Sequence, residues 1–221
     1  MRLEGREWRV VVDEVRLGVE RFRVVRAVRV GHLVLHEGRL GAQLSVDRQG
    51  TVDLAIAWWL ASRSPRSLVY LPLRESAAEC GAEYGGRKLD LVLLHHSLGF
   101  RPSQWKAVRG RLGAGRAQKV TAPAGALPEY EANVHQVRWR REFRDRLRWT
   151  IAADTLFLVG SRTAFELEGG QVRALAEDCP AHLAEQPGTH CCAEIEMGRR
   201  GAVDRRNPYA QLHVECCNRH W

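Results

Sequence analysis

The stretch His213-Val-Glu-Cys-Cys-Asn-Arg-His220 sets two adjacent cysteines between two histidines. Thiolate and imidazole are the ligands zinc prefers, and four-ligand sites commonly arrive as two short-spaced pairs. Cys179 and His182 form one C-x2-H pair, and Cys217 and His220 form a second. His190, Cys191 and Cys192 lie between them. If CCAEIEM and AQLHVECC pair as an antiparallel hairpin, both Cys-Cys steps meet at its open end. A tetrahedral zinc site built from Cys179 or His182 with Cys192, Cys217 and His220 is therefore the expected metal centre. Neighbouring strand residues point to opposite faces, so only one cysteine of each pair can join a given site. The alternative is that these cysteines act as small hydrophobes in a sheet.

A catalytic version of the site follows from Cys192-Ala-Glu194 with Cys217-Asn-Arg-His220 further on. This is similar to the pattern of zinc-dependent base deaminases, where one ligand stands two residues before a catalytic glutamate and two more follow at C-x2-C. The resemblance implies a hydrolase in which Glu194 shuttles a proton to the displaced nitrogen. His220 departs from the pattern by replacing the last cysteine, and the proline before the pair is missing. The helix expected at those ligands would have to lie beyond Trp221.

His95 and His96 end the apolar run LDLVLL, and Ser97 is next to them. In an open parallel sheet ligands bind at the carboxyl ends of strands. Arg74 and Glu75 end the preceding apolar run, so His95, His96 and Glu75 with Arg74 form a candidate acid–base set for a phosphoester. A polar rim is the plainer reading, because no Gly-rich phosphate loop accompanies them.

The third constellation is basic. The formal charge is +8 and the pI about 9.6, and only Lys88, Lys106 and Lys119 among the 34 basic residues are lysine. Guanidinium forks onto phosphate and stacks on bases, which suits a polyanionic partner. Arg141, Arg144 and Arg148 share one face of an expected helix, interleaved with Trp139, Phe143 and Trp149. Arg199, Arg200, Arg205 and Arg206 form a second patch at the far end of the expected hairpin. A nucleic acid or nucleotide is the expected partner, with an acidic protein as the other possibility. The longest apolar run, near Leu54 to Ala61, is too short to span a bilayer, so no membrane partner is expected. The charged N-terminus lacks a signal-peptide core, which predicts a cytoplasmic protein whose thiols are free or bind metal.

The elements that must position these groups read as α+β. A β-rich N-terminal segment comes first, with strands in residues 7–46. TVDLAIAWWLAS predicts a buried helix capped by Asp47 or Thr51 and ended at Ser64-Pro65. SLVYLPL, LDLVLL and QKVTAP alternate with helices expected in ESAAECGAEY and RPSQWKAVRGRLG, which predicts a small parallel α/β core. A long helix is expected from Pro128 to about Ala152, its core stripe formed by Trp139, Phe143, Leu147 and Ile151. The Gly169-Gly170 pair predicts a hairpin turn, and residues 178–190 read as loop. A C-terminal antiparallel sheet completes the chain. The linker APAGALP divides it into residues 1–122, the β-rich segment with the α/β core, and residues 128–221, the long helix with the Cys/His cluster.

Overall fold

The alternating segments EWRVVVDEVRL and ERFRVVRA pair antiparallel as β1 (Glu7–Leu17) and β2 (Glu20–Ala27). The structure is a computed structural model that describes residues 1–38, 41–80, 86–131, 145–198 and 210–217. β3 (Val34–Gly38) and β4 (Gly41–Val46) also pair antiparallel. Helix α1 (Arg48–Arg63) follows. Asp47 caps it by accepting from the Gly50 amide at 2.6 Å, and the helix ends at Ser64. β5 (Ser67–Leu71) and β6 (Lys88–His95) are buried almost throughout, and α2 (Trp105–Arg109) buries Trp105 and Val108.

β7 (Arg116–Thr121), β8 (Arg148–Ala152), β9 (Thr155–Gly160), β10 (Cys192–Gly198) and β11 (Ala210–Cys216) complete an eleven-stranded sheet. Its main path runs β10-β11-β4-β3-β6-β5-β2-β1-β7, and β9 joins β6 and carries β8. Strands from both ends of the chain thus meet through β4–β11 and β6–β9. Helices α3 (Arg162–Glu177) and α4 (Cys179–Glu185) lie with α1 over one large core. α2 and its flanks cover a second core on the other face, around Phe22, Tyr70, Phe100, Trp105 and Phe157.

The α+β class is observed, but the central pairing differs from expectation. β5 runs antiparallel to β6; the parallel pairs are β2–β5, β6–β9 and β4–β11. A parallel crossover needs a long connection, usually a helix. After β5 the described chain makes a short 3-10 turn, Leu73–Glu75, and residues 76–80 are not helical. β7 pairs antiparallel with β1 at the sheet edge.

Three other expectations are corrected. Residues 148–152 of the proposed long helix are strand β8, because Arg148, Trp149, Thr150 and Ile151 alternate out and in against β9. Leu147 and Ile151 do reach the core, whereas Trp139, Phe143, Arg141 and Arg144 lie outside the described residues. Gly169-Gly170 is the middle of α3, not a turn. Ala164, Phe165, Glu168, Val172, Leu175 and Ala176 are buried at helical spacing around it. The glycines serve close approach: a Cβ at Gly170 would stand 2.9 Å from the Glu129 carbonyl oxygen and 3.0 Å from the Tyr130 Cα. Glycine to alanine inside a helix normally stabilises by about 1 kcal/mol. Here Gly170→Ala is expected to destabilise by about 1–3 kcal/mol in urea unfolding, because the added methyl collides with the crossing segment. Residues 178–190, expected as loop, hold α4, which Pro180 starts.

A second prediction concerns α1. Burial, reinforced by Asp47 and opposed by a hydrogen bond from Gln49, pushes the Asp53 carboxyl up to about 7. The folded state therefore binds this proton more tightly than the unfolded chain, so stability falls as pH rises from the ordinary value of 3.8 to about 7, and the full cost stands above that. Asp53→Asn should stabilise by about 2 kcal/mol at about pH 8, and the advantage should shrink as pH falls through 7. Urea titrations at several pH values check the sign.

Candidate metal centre

β10 and β11 pair antiparallel with Cys192 opposite Glu215 and Glu194 opposite His213. The Cys216 amide donates to the Cys191 carbonyl at 2.9 Å, so the two Cys-Cys steps do meet at one end of the hairpin. Strand alternation then sorts them. Ala193, Ile195, Leu212, Val214 and Cys216 face the core, while Cys192, Glu194, His213 and Glu215 share the opposite face.

On that outer face His190, Cys192 and His213 place their ligand atoms within 4.8 Å of one another, close enough to hold a metal ion. The His190 and His213 rings stack with centroids 5.4 Å apart. His213 Nδ1 contacts Glu194 Oε1, and its Nε2 lies 3.8 Å from Glu215 Oε2. Ser45 Oγ donates to Glu215 Oε1 at 3.0 Å, which fixes that carboxylate. Glu215, then Glu194, holds the His213 pKa above its ordinary value against the effect of burial. Burial, then Glu194 and Glu215, raises the Cys192 thiol.

The scaffold beneath is held by α3. The Gln171 amide donates to the Glu194 carbonyl at 3.0 Å and accepts from the Glu194 amide at 3.2 Å. The buried Glu168 carboxylate accepts from the Glu196 amide at 3.4 Å. These side chains satisfy the free edge of β10, which otherwise presents unpaired backbone groups, and so set the height of Cys192 and Glu194.

The core face carries a separate cluster. Cys179, at the start of α4, and Cys191 form a disulfide with Cα atoms 6.2 Å apart, where the sequence predicts free or metal-bound thiols. Cys216 lies beside them, its thiol pushed up to about 12 by burial. The expected zinc set is therefore split. Cys179 is committed to the disulfide, Cys192 groups with His190 and His213, and His182 lines a cleft with Cys179, Cys191 and Cys192. Cys217 follows β11, its amide donating to the Val46 carbonyl at 2.8 Å. His220 lies outside the described residues. His190 and His213 were not among the predicted ligands. Their signal was a spacing of two, His213-x-Glu215 on one face of β11 and His190 two residues before Cys192 at the start of β10.

His95 and His96 sit where β6 ends, with ring centroids 4.7 Å apart, and His95 Nδ1 accepts from the Ser97 amide at 3.2 Å. Burial, then His96, lowers the His95 pKa. Because β5 is antiparallel to β6, Arg74 and Glu75 stand at the opposite end of this pair, beside Asp90. Glu75 is thus not brought to the histidines. Arg148 is exposed on β8 and lines a cleft of about 390 Å³ with His96, Phe100 and Trp149. Arg199, Arg200, Arg205 and Arg206 lie outside the described residues. No helix among the described residues is long and apolar enough to cross a membrane.

Comparison with protein-family models, curated proteins and solved structures found no match.

Proposed function

We propose that the chain binds zinc through His190, Cys192 and His213 and that this centre is hydrolytic. The observation that carries the reading is one sulfur and two imidazoles converging on an outer sheet face, with carboxylates on both sides of one imidazole. The donor set suits zinc, whose catalytic sites combine three protein ligands with an open position. Zinc held there would supply Lewis acidity toward a substrate oxygen. Glu194 would fix the tautomer and orientation of His213, as carboxylates do for metal-binding imidazoles. This differs from the deaminase pattern, in which the glutamate two residues after the ligand moves the proton. Glu215, held by Ser45 and facing the other ring nitrogen, is the group placed to accept a proton from an attacking water.

The test is elemental analysis after zinc loading, joined to hydrolysis assays on nucleosides, phosphoesters and carboxylic esters. One equivalent of zinc is expected, with turnover that chelation abolishes and zinc restores. Glu215→Gln should keep the zinc and lose turnover. Zinc retained without turnover on any substrate class would make the ion structural and overturn the hydrolytic part.

A second reading is a nucleic-acid-associated basic protein. It rests on the charge of +8 and on exposed Arg148 beside His96 and Trp149 at one cleft. Binding to single-stranded or duplex polynucleotide should then weaken steeply as salt rises, because phosphate contacts release counterions. Salt-independent binding, or none, would remove this reading.

A further inference from the structure

The face of the β10–β11 hairpin opposite the proposed zinc centre holds three sulfurs from three elements. Cys179 comes from the start of α4, Cys191 from the residue before β10, and Cys216 from the end of β11. Their sulfurs all lie within 4.8 Å of one another. Cys179 is 7% and Cys216 6% exposed. A disulfide accounts for only two of the three sulfurs, Cys179 and Cys191. A cleft of about 390 Å³, lined also by Leu175, Asp178, His182 and Cys192, reaches that disulfide from solvent.

We infer that Cys179, Cys191 and Cys216 form a redox-gated thiolate site for a soft metal ion, closed by the disulfide and opened by a dithiol entering the cleft. The dithiol gives up two electrons and two protons and leaves as a cyclic disulfide; the Cys179–Cys191 bond breaks and both sulfurs become thiols. A divalent ion then binds the three sulfurs and releases three protons to solvent. The elements that hold the sulfurs together are set by other bonds. The Cys216 amide stays on the Cys191 carbonyl, and the Ala181 and His182 amides donate to the Asp178 carbonyl at the start of α4. Opening the disulfide therefore leaves the three thiols as neighbours. Soft sulfur ligands select ions such as copper(I), zinc and cadmium. The site uses none of the ligands of the outer-face centre, so the two stand or fall separately.

The test uses the full chain carrying Cys192→Ser, which removes the sulfur of the outer-face centre. Cadmium is the probe, read by its thiolate charge-transfer absorption. After anaerobic reduction by a dithiol and removal of the reductant, the chain is expected to bind one cadmium with a band that the oxidised chain lacks. Adding Cys216→Ser should weaken that binding about 100-fold, the loss of one ligand from such a site. Cys80→Ser should leave it unchanged. Equal cadmium binding before and after reduction would overturn the inference. So would a Cys216→Ser chain that binds as well as its parent, or loss of the native circular dichroism on reduction.

Discussion

His213→Ala is expected to weaken zinc binding at least about 100-fold, because it removes a ligand rather than an orienting group. Its ring is the centre's keystone. It stacks on His190, contacts Glu194 through Nδ1 and faces Glu215 through Nε2. Glu194→Gln should cost about tenfold, since an outer partner of a metal-bound imidazole tunes the site without closing it. Competition against a zinc-binding dye measures both on one scale. His213 is half-buried on a strand whose core contacts come from Leu212 and Val214, so the alanine variant should fold. The ordering is the informative part. A Glu194→Gln loss equal to that of His213→Ala would make Glu194 itself a ligand.

Asp90→Ala is expected to destabilise the chain by about 3–5 kcal/mol. The carboxylate is only 1% exposed and accepts from the Tyr70 hydroxyl, the Arg74 guanidinium and the Arg109 guanidinium, each at 3.1 Å. Burial and Asp90 together push the Tyr70 hydroxyl pKa well above its ordinary value. The network also holds the turn between β8 and β9. Arg109 donates to the Ala153 carbonyl at 3.0 Å, and the Asp90 amide to the Asp154 carbonyl at 2.9 Å. Ala153 and Asp154 both have positive φ, at 48° and 57°, a conformation that surrounding structure has to hold in place. Alanine at position 90 leaves two guanidinium groups facing a site built for an anion. Thermal unfolding should shift down by roughly 10 °C for a chain of this size. Asp90→Asn, which keeps the shape but not the charge, should recover part of that loss.

Much of the fold could be read from short-range pattern. Alternation marked β1, β2, β10 and β11, and Asp47 was already a visible cap for α1. Alternation also implied that Cys191 and Cys192 would face opposite sides of the sheet, and the two fall in separate clusters. What could not be read was direction and close approach. Whether β5 and β6 run parallel depends on the connection between them; acidic and alanine-rich composition suggested a helix there, whereas the described residues after β5 make a 3-10 turn at Leu73–Glu75 and are not helical over 76–80. Gly169-Gly170 carries the same letters as a hairpin turn, yet their purpose is to let residues 129–130 pass across α3. The metal centre was half legible. The C-x2-H template, suited to turns and helix starts, favoured His182 and His220. On strands the relevant spacing is two, and that selects His190, Cys192 and His213.

X-ray absorption at the zinc edge of the zinc-loaded, oxidised chain tests the central claim most directly. The account predicts one sulfur at about 2.3 Å and two imidazole nitrogens at about 2.0 Å. A shell of three or four sulfurs, or one with no sulfur at all, would contradict it.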